Sequence, residues 1–269
     1  MKICFIGGGN MARALIQGLR ENGFTMADIN VIEPDNDKRA GLQRDFSVTA
    51  TESLPSAANA DIILLAVKPQ QMRDACIFLG SLLQKQLVIS IAAGIRTIDL
   101  SRWLGRYEHI VRVMPNTPAQ IQAGISALYA MPAVTSSQHA EAETILQAVG
   151  ETIWLEDEAQ MDAVTAISGS GPAYVFYFIE AMQQAAIELG LTADQARALC
   201  MHTFTGASSL AAQSHDEPAE LRKQVTSKGG TTEQALLALE AASVKSAIVK
   251  AAKAAAERSR ELGDLLGND

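Results

Sequence analysis

Two stretches of this sequence combine residue types and spacing suited to holding anions. Near the start, Gly7-Gly8-Gly9-Asn10-Met11-Ala12 puts small residues at 7, 9 and 12, the pattern G-x-G-x-x-G/A. The first glycine permits a tight turn and the second lets the backbone come close to a pyrophosphate. The amides opening the next helix then aim their positive ends at it. Towards the other end, Val225-Thr226-Ser227-Lys228-Gly229-Gly230-Thr231-Thr232-Glu233 joins two glycines to four hydroxyl side chains ahead of a helix. Free amides and hydroxyls of that kind converge on a carboxylate or a phosphate. The plainer readings are a structural glycine turn for the first stretch and an ordinary capped helix start for the second.

Other chemistries find less support. His109, His139, His202 and His215 are isolated, and no cysteine or carboxylate pair stands beside them at ligand spacing, so no metal is expected. Ser168-Gly169-Ser170-Gly171-Pro172 reads as a loop-like break in a helical run whose glycines let another backbone or a ligand approach. A hydrolase serine there is disfavoured, since G-x-S-x-G is absent and no strand precedes it; close helix packing is the alternative. Met161, Met182 and Met201 read as core filler.

These stretches need elements to position them. Short apolar runs at Ile3–Ile6, Ile29–Ile32, Ile62–Val67, Leu87–Ile91 and Ile110–Val113 alternate with helical patterns such as Met11–Arg20. Strands separated by helices predict an α/β domain with a parallel sheet over residues 1–160. Turn signals at Gly7-Gly8-Gly9, Glu33-Pro34-Asp35, Lys68-Pro69, Ala93-Gly94 and Pro115–Pro118 fall mostly after strand carboxyl ends, where such sheets bind ligands. The first glycine stretch therefore follows a strand and opens a helix, with an acidic residue, Glu33, ending the next strand. That context makes it a dinucleotide site. A carboxylate at 33 accepts hydrogen bonds from a ribose diol and repels a 2′-phosphate by roughly 3 kcal/mol per charge pair at about 5 Å and an effective dielectric near 20. Against that control, Glu33 can turn to solvent, and Lys38 and Arg39 lie one helical turn further on, within reach of a phosphate.

Residues 161–269 lose the strand runs and predict an all-helical domain. Thr192 and Gln195 have capping-box spacing, so one helix ends near Gly190 and another begins at Ala193; Gly263 reads as the stop of the last. Tyr174–Ile187 is apolar nearly all round and must be covered on every side, which predicts a subunit interface, most simply a two-fold dimer.

Composition is permissive. A chain of 269 residues, 48% hydrophobic, can bury two modest cores, and the net charge of -8 is spread without a basic block, which disfavours nucleic acid and anionic membrane as partners. No run approaches the roughly 18 residues of a membrane span, and Met1–Ile6 leads straight into the glycines without a leader-type cleavage site. Cys4, Cys76 and Cys200 are odd in number and far apart, as fits a reducing compartment. A cytoplasmic protein is expected.

Three segments together resemble one family, pyrroline-5-carboxylate reductase: Phe5–Ala12, Arg112-Val113-Met114-Pro115-Asn116-Thr117-Pro118, and Val225–Thr232 with Ser168–Tyr174 before it. Lys228 departs from the pattern, since many members carry proline there. The resemblance implies a Rossmann-type domain followed by a helical dimerisation domain that interlocks with its partner, and a substrate pocket at the dimer interface. It implies nucleotide binding, NADPH or NADH, by Ile6, Gly7, Gly8, Gly9, Asn10, Met11, Glu33, Ala66, Val67, Lys68, Pro69, Ile91, Ala92 and Ala93. It further implies that Ser227, Gly229, Gly230, Thr231 and Thr232 bind the carboxylate of 1-pyrroline-5-carboxylate and that Thr232, as the catalytic residue, hydrogen-bonds the ring nitrogen. The activity implied is reduction of the imine to L-proline by a homodimer, with assembly into a larger ring left open. Positioning is the main catalysis expected, the imine carbon being held about 3–3.5 Å from the nicotinamide.

Two rival readings share the first half of the chain. A hydroxyacid dehydrogenase needs a lysine or histidine to take the alcohol proton, and Lys228 and Lys245 are its candidates. A nucleotide-sensing module needs no substrate loop, and the Ser227–Thr232 stretch argues against it.

Overall fold

The computed structural model describes residues 1–267. The chain begins β1 (Ile3–Ile6), α1 (Asn10–Glu21), β2 (Ile29–Ile32), α2 (Asn36–Phe46), β3 (Thr49–Thr51), β4 (Ile62–Leu65), α3 (Pro69–Gly80), β5 (Leu87–Ser90) and α4 (Thr97–Trp103). It continues β6 (Ile110–Met114), β7 (Gly124–Ala130), α5 (Ser136–Gln147) and β8 (Gly150–Trp154). The eight strands form one sheet in the order β3-β2-β1-β4-β5-β6-β7-β8. Every neighbouring pair is parallel except β6 and β7, which are antiparallel because a short connection through Thr117–Ile121 turns the chain straight back.

Strand alternation divides the core. Ile3 and Phe5 of β1 face the cluster that contains Leu15, Ile16 and Leu19 of α1, whereas Cys4 and Ile6 face the cluster with Met72, Cys76 and Leu79 of α3. Each central strand is buried on both faces, which is why its sequence reads as an unbroken apolar run.

From residue 161 onward the elements are helical, as the sequence predicts: α6 (Met161–Val164), a π-helical turn (Thr165–Gly169), α7 (Gly171–Glu188), α8 (Ala193–Gln213), α9 (Pro218–Gln224), α10 (Thr231–Ala241) and α11 (Val244–Gly267). Thr192 and Gln195 form the expected capping box. Two local expectations are corrected. Gly263 does not end the last helix, which runs on to Gly267; an added Cβ at 263 would lie 3.2 Å from the carbonyl oxygen of Gly94, so this glycine serves close packing. The break at Ser168–Pro172 is a π-turn, closed by the Ser170 amide donating to the Thr165 carbonyl at 2.8 Å.

The chain forms two compact units. Met1–Ser170 packs with the stretch from Ala254 onward, and Gly171–Lys253 forms the second unit. In the first, Ser259 donates to Asp162 at 2.6 Å and Arg96 pairs with Asp264 at 2.6 Å, so the end of α11 completes that unit. In the second, no residue of α7 is buried within the single chain; Phe176 and Tyr177 are 63% and 70% exposed. No helix among the described residues is long and apolar enough to cross a membrane.

Candidate active site

The carboxyl ends of β2, β1, β4 and β5 lie side by side, and the residue that follows each strand, Glu33, Gly7, Ala66 and Ile91, continues the row. The ladder extends one step past the strands: the Gly7 amide donates to Ile32 at 2.8 Å, the Ala66 amide to Ile6 at 2.8 Å and the Ile91 amide to Leu65 at 3.2 Å. Four separate stretches of sequence named above are thereby gathered on one sheet edge.

Gly7 sits at φ +100°, and a Cβ there would lie 2.7 Å from the Ala66 carbonyl oxygen, so only glycine lets the chain turn out of β1 beneath the neighbouring loop. Gly9 is the N-cap of α1 and caps it with no side chain; a Cβ there would meet no atom within 4 Å. The amides of Asn10, Met11 and Ala12 therefore have neither a side-chain cap nor a partner within the helix. This is the cradle a pyrophosphate requires. Met11 and Ala12 turn inward on the core and fix the helix below it.

Glu33 does not turn to solvent. It is 6% exposed and accepts the Gly8 amide at 3.0 Å and the Asp35 amide at 3.1 Å, so its carboxylate braces the glycine turn from the side. Arg39 is engaged as well, donating to the carbonyls of Glu33 and Pro34 at 2.7 Å each, while Lys38 is exposed. On the other flank Lys68 caps α3 and Pro69 opens it, where a missing amide proton costs nothing. Val67 packs on the core, Ala92 is buried and Ala93 is exposed beside the Gly94 turn.

A buried ion pair behind this edge has no signature in the sequence. Glu158 accepts both the amide and the hydroxyl of Thr97, at 2.8 and 2.6 Å, and the guanidinium of Arg112 at 2.9 Å. It thus ties the start of α4, just after the Ile91–Gly94 loop, to the middle of β6. No local motif announces it, because the partners are 46 and 61 positions apart. Nearby, Asn116 accepts the Ile125 amide at 3.0 Å and fixes the turn between β6 and β7. Met114, which ends β6, lies against Gly169 in the π-turn, where an added Cβ would stand 2.4 Å from its Cε. The serine in that turn, Ser168, spends its hydroxyl on the Val164 carbonyl at 3.2 Å.

In the second unit, Ser227, Gly229, Gly230, Thr231 and Thr232 form the turn into α10 and its first two residues. The Gly230 amide donates to the Ser227 carbonyl at 3.0 Å and Gly229 stands at φ +74°. The Gly229 amide is taken by the Glu233 carboxylate at 2.7 Å. Gly230 caps α10 without a side chain, which leaves the first-turn amides of Thr231 and Thr232 unbonded by the helix. Thr226 donates to Arg222 at 2.6 Å, whereas the hydroxyls of Ser227, Thr231 and Thr232 take part in none of these bonds. The arrangement offers two amides and three hydroxyls to an acid. Lys228 and Lys245, the proton acceptors a hydroxyacid dehydrogenase would need, are both exposed.

Two of the three thiols are chemically quiet. Burial pushes the pKa of Cys4 and of Cys76 up to about 12, so both are neutral core residues. Among the described residues there is no cluster of His, Cys, Asp and Glu that could hold a metal ion.

Residues 158–262 match the family model for pyrroline-5-carboxylate reductase dimerisation, and residues 2–94 match that for NADP oxidoreductase, coenzyme F420-dependent. The helical region thus carries a self-association domain. The chain is 46% identical over 268 residues to the pyrroline-5-carboxylate reductase of Pseudomonas aeruginosa, covering 99% of this chain and 98% of that protein. The structure of a pyrroline-5-carboxylate reductase from Coxiella burnetii superposes with a TM-score of 0.92 at 42% identity, covering 97% of this chain and 98% of that one. That of the Plasmodium falciparum pyrroline carboxylate reductase, with NADP bound, does so with a TM-score of 0.88 at 29% identity and 98% coverage of each chain. This chain belongs to the pyrroline-5-carboxylate reductase family.

Proposed function

We propose that this protein reduces 1-pyrroline-5-carboxylate to L-proline with NADPH or NADH, as the last step of making that amino acid. The observation that carries the reading is near-full-length likeness to curated reductases of that name, 46% and 41% identical over at least 98% of this chain in two bacteria. The open cradle over Gly9 and the uncapped amides of Thr231 and Thr232 support it, since the reaction needs one site for a diphosphate and one for an acid.

In this reading the nucleotide is held by Ile6 to Met11, with Glu33, Ala66, Val67, Lys68, Pro69, Ile91, Ala92 and Ala93 along the same edge. When bound, the reduced nicotinamide supplies a hydride. The work of the chain is then positional. The amides of Thr231 and Thr232 and the hydroxyl of Ser227 receive the substrate carboxylate, in a turn that Gly229 and Gly230 shape, and the Thr232 hydroxyl orients the ring nitrogen. A protonated imine is already electrophilic, so the product nitrogen keeps its proton and no general base is required. The exposed apolar face of α7 is covered by a second copy in a homodimer, with assembly into a larger ring as a further step, and the protein works in the cytoplasm.

An assay of nicotinamide absorbance with pyrroline-5-carboxylate and, separately, with small hydroxyacids tests the reading. Turnover of the imine with either nucleotide supports it. Turnover of alcohols alone would favour a hydroxyacid dehydrogenase.

A further inference from the structure

The substrate turn is held from within by a residue outside the set that touches the acid. Ser227-Lys228-Gly229-Gly230 closes with the Gly230 amide donating to Ser227 at 3.0 Å, and its third residue, Gly229, has φ +74° while Lys228 is not among the residues of positive φ. That is the pattern of a type II turn, in which proline is favoured at the second position and glycine at the third. Types I and II differ by a flip of the peptide between those two positions, here Lys228–Gly229. Proline at 228 would fix φ in advance, whereas lysine does not. The amide of that same peptide, Gly229 N–H, is bonded to the Glu233 carboxylate at 2.7 Å, and Glu233 stands in the first turn of α10.

We infer that Glu233 is the positioning residue of the substrate turn: its carboxylate locks the Lys228–Gly229 peptide in the type II orientation and so keeps Ser227 and the amides of Thr231 and Thr232 arranged to receive the substrate acid. The inference rests on the function proposed above. Glu233 is half-buried and belongs to neither hydrophobic core cluster, so Glu233→Ala is expected to fold.

The test compares Glu233→Gln, Glu233→Ala and the double variant Glu233→Ala with Lys228→Pro, by steady-state kinetics and by hydrogen exchange at the Gly229 amide. A charge-assisted bond to a backbone amide is worth enough to predict that Glu233→Ala raises KM for pyrroline-5-carboxylate about tenfold, with kcat within roughly threefold and the nucleotide KM unchanged. Exchange at Gly229 should accelerate in the same variant. Glu233→Gln keeps an acceptor and should recover most of the KM, and proline at 228 should recover part of it without restoring the bond. A KM that stays the same or falls in Glu233→Ala would overturn the inference, a fall meaning that Glu233 competes with the substrate for the amide. So would failure of both Gln and Pro to restore KM. Wild-type protein inert towards pyrroline-5-carboxylate would overturn the proposed function instead, and Gly229 exchange would still report whether the lock exists.

Discussion

Three adjacent glycines make a controlled experiment on the nucleotide cradle, because alanine meets three different surroundings. At Gly9 the added methyl finds no atom within 4 Å, and φ -70° with ψ -177° is ordinary extended backbone. Gly9→Ala should therefore fold as the wild type does, within about 1 kcal/mol for the change of N-cap. The methyl nevertheless occupies the space that the proposed pyrophosphate site leaves over the α1 amides. Losing one such bond to a charged oxygen costs about 1.5–3 kcal/mol, so nucleotide affinity should fall on the order of 10–100-fold. At Gly7 the methyl would be 2.7 Å from a backbone carbonyl at a φ of +100°, and neither atom can yield. Gly7→Ala should cost at least about 2 kcal/mol, a fall in Tm of roughly 4–8 °C. Gly8 lies between: its methyl would meet the Leu42 Cδ1 at 2.6 Å, the far end of a side chain that can move. Calorimetric titration with NADPH and NADH, beside thermal melts, reads both axes. Wild-type affinity in Gly9→Ala would refute the placement of the pyrophosphate.

Other expectations follow from single contacts. Thr232→Ala should slow hydride transfer by about 10–1000-fold in single turnover while nucleotide titrations stay unchanged, since its hydroxyl is assigned to the ring nitrogen. Glu158→Ala should destabilise the first unit by about 3–5 kcal/mol in urea melts, because Arg112, 5% exposed, would be left buried and unpaired. Phe176→Glu places a charge on the uncovered face of α7 and should shift sedimenting protein towards monomer. Burial, opposed by Arg102 at 3.1 Å, raises the pKa of Asp99 above its ordinary 3.8. The folded state therefore binds that proton more tightly, and stability contributed there falls as pH rises from the unfolded value through the folded one. Asp99→Asn should flatten that part of the stability profile in melts between pH 3.5 and neutrality, on the order of the interval carboxylates span.

What could be read in the sequence follows from how each element is buried. The three central strands β1, β4 and β5 show as apolar runs because both faces are covered, and the loops after them carry glycines and prolines that gather on one edge. β3, β7 and β8 escape notice: Thr49–Thr51 is three residues long, Gly124–Ala130 is rich in small residues, and Gly150–Trp154 has no fully buried position. Gly263 misleads because a glycine near a helix end reads as a stop, yet here it admits the Gly94 carbonyl. Hydrogen-bond direction is the larger gap. That Glu33 braces Gly8, that Glu233 holds Gly229 and that Glu158 joins Thr97 to Arg112 depends on where side chains point, which spacing alone does not state.

In the proposed reaction, hydride passes from a nicotinamide to a carbon of an imine held by its acid group. Single-turnover reaction with nucleotide deuterated at the transferring position, followed by mass spectrometry and NMR of the product, tests it most directly. One deuterium per proline, on the ring carbon that adjoins nitrogen and does not carry the carboxylate, is the predicted result. Proline without deuterium, or no proline from either nucleotide, would contradict it.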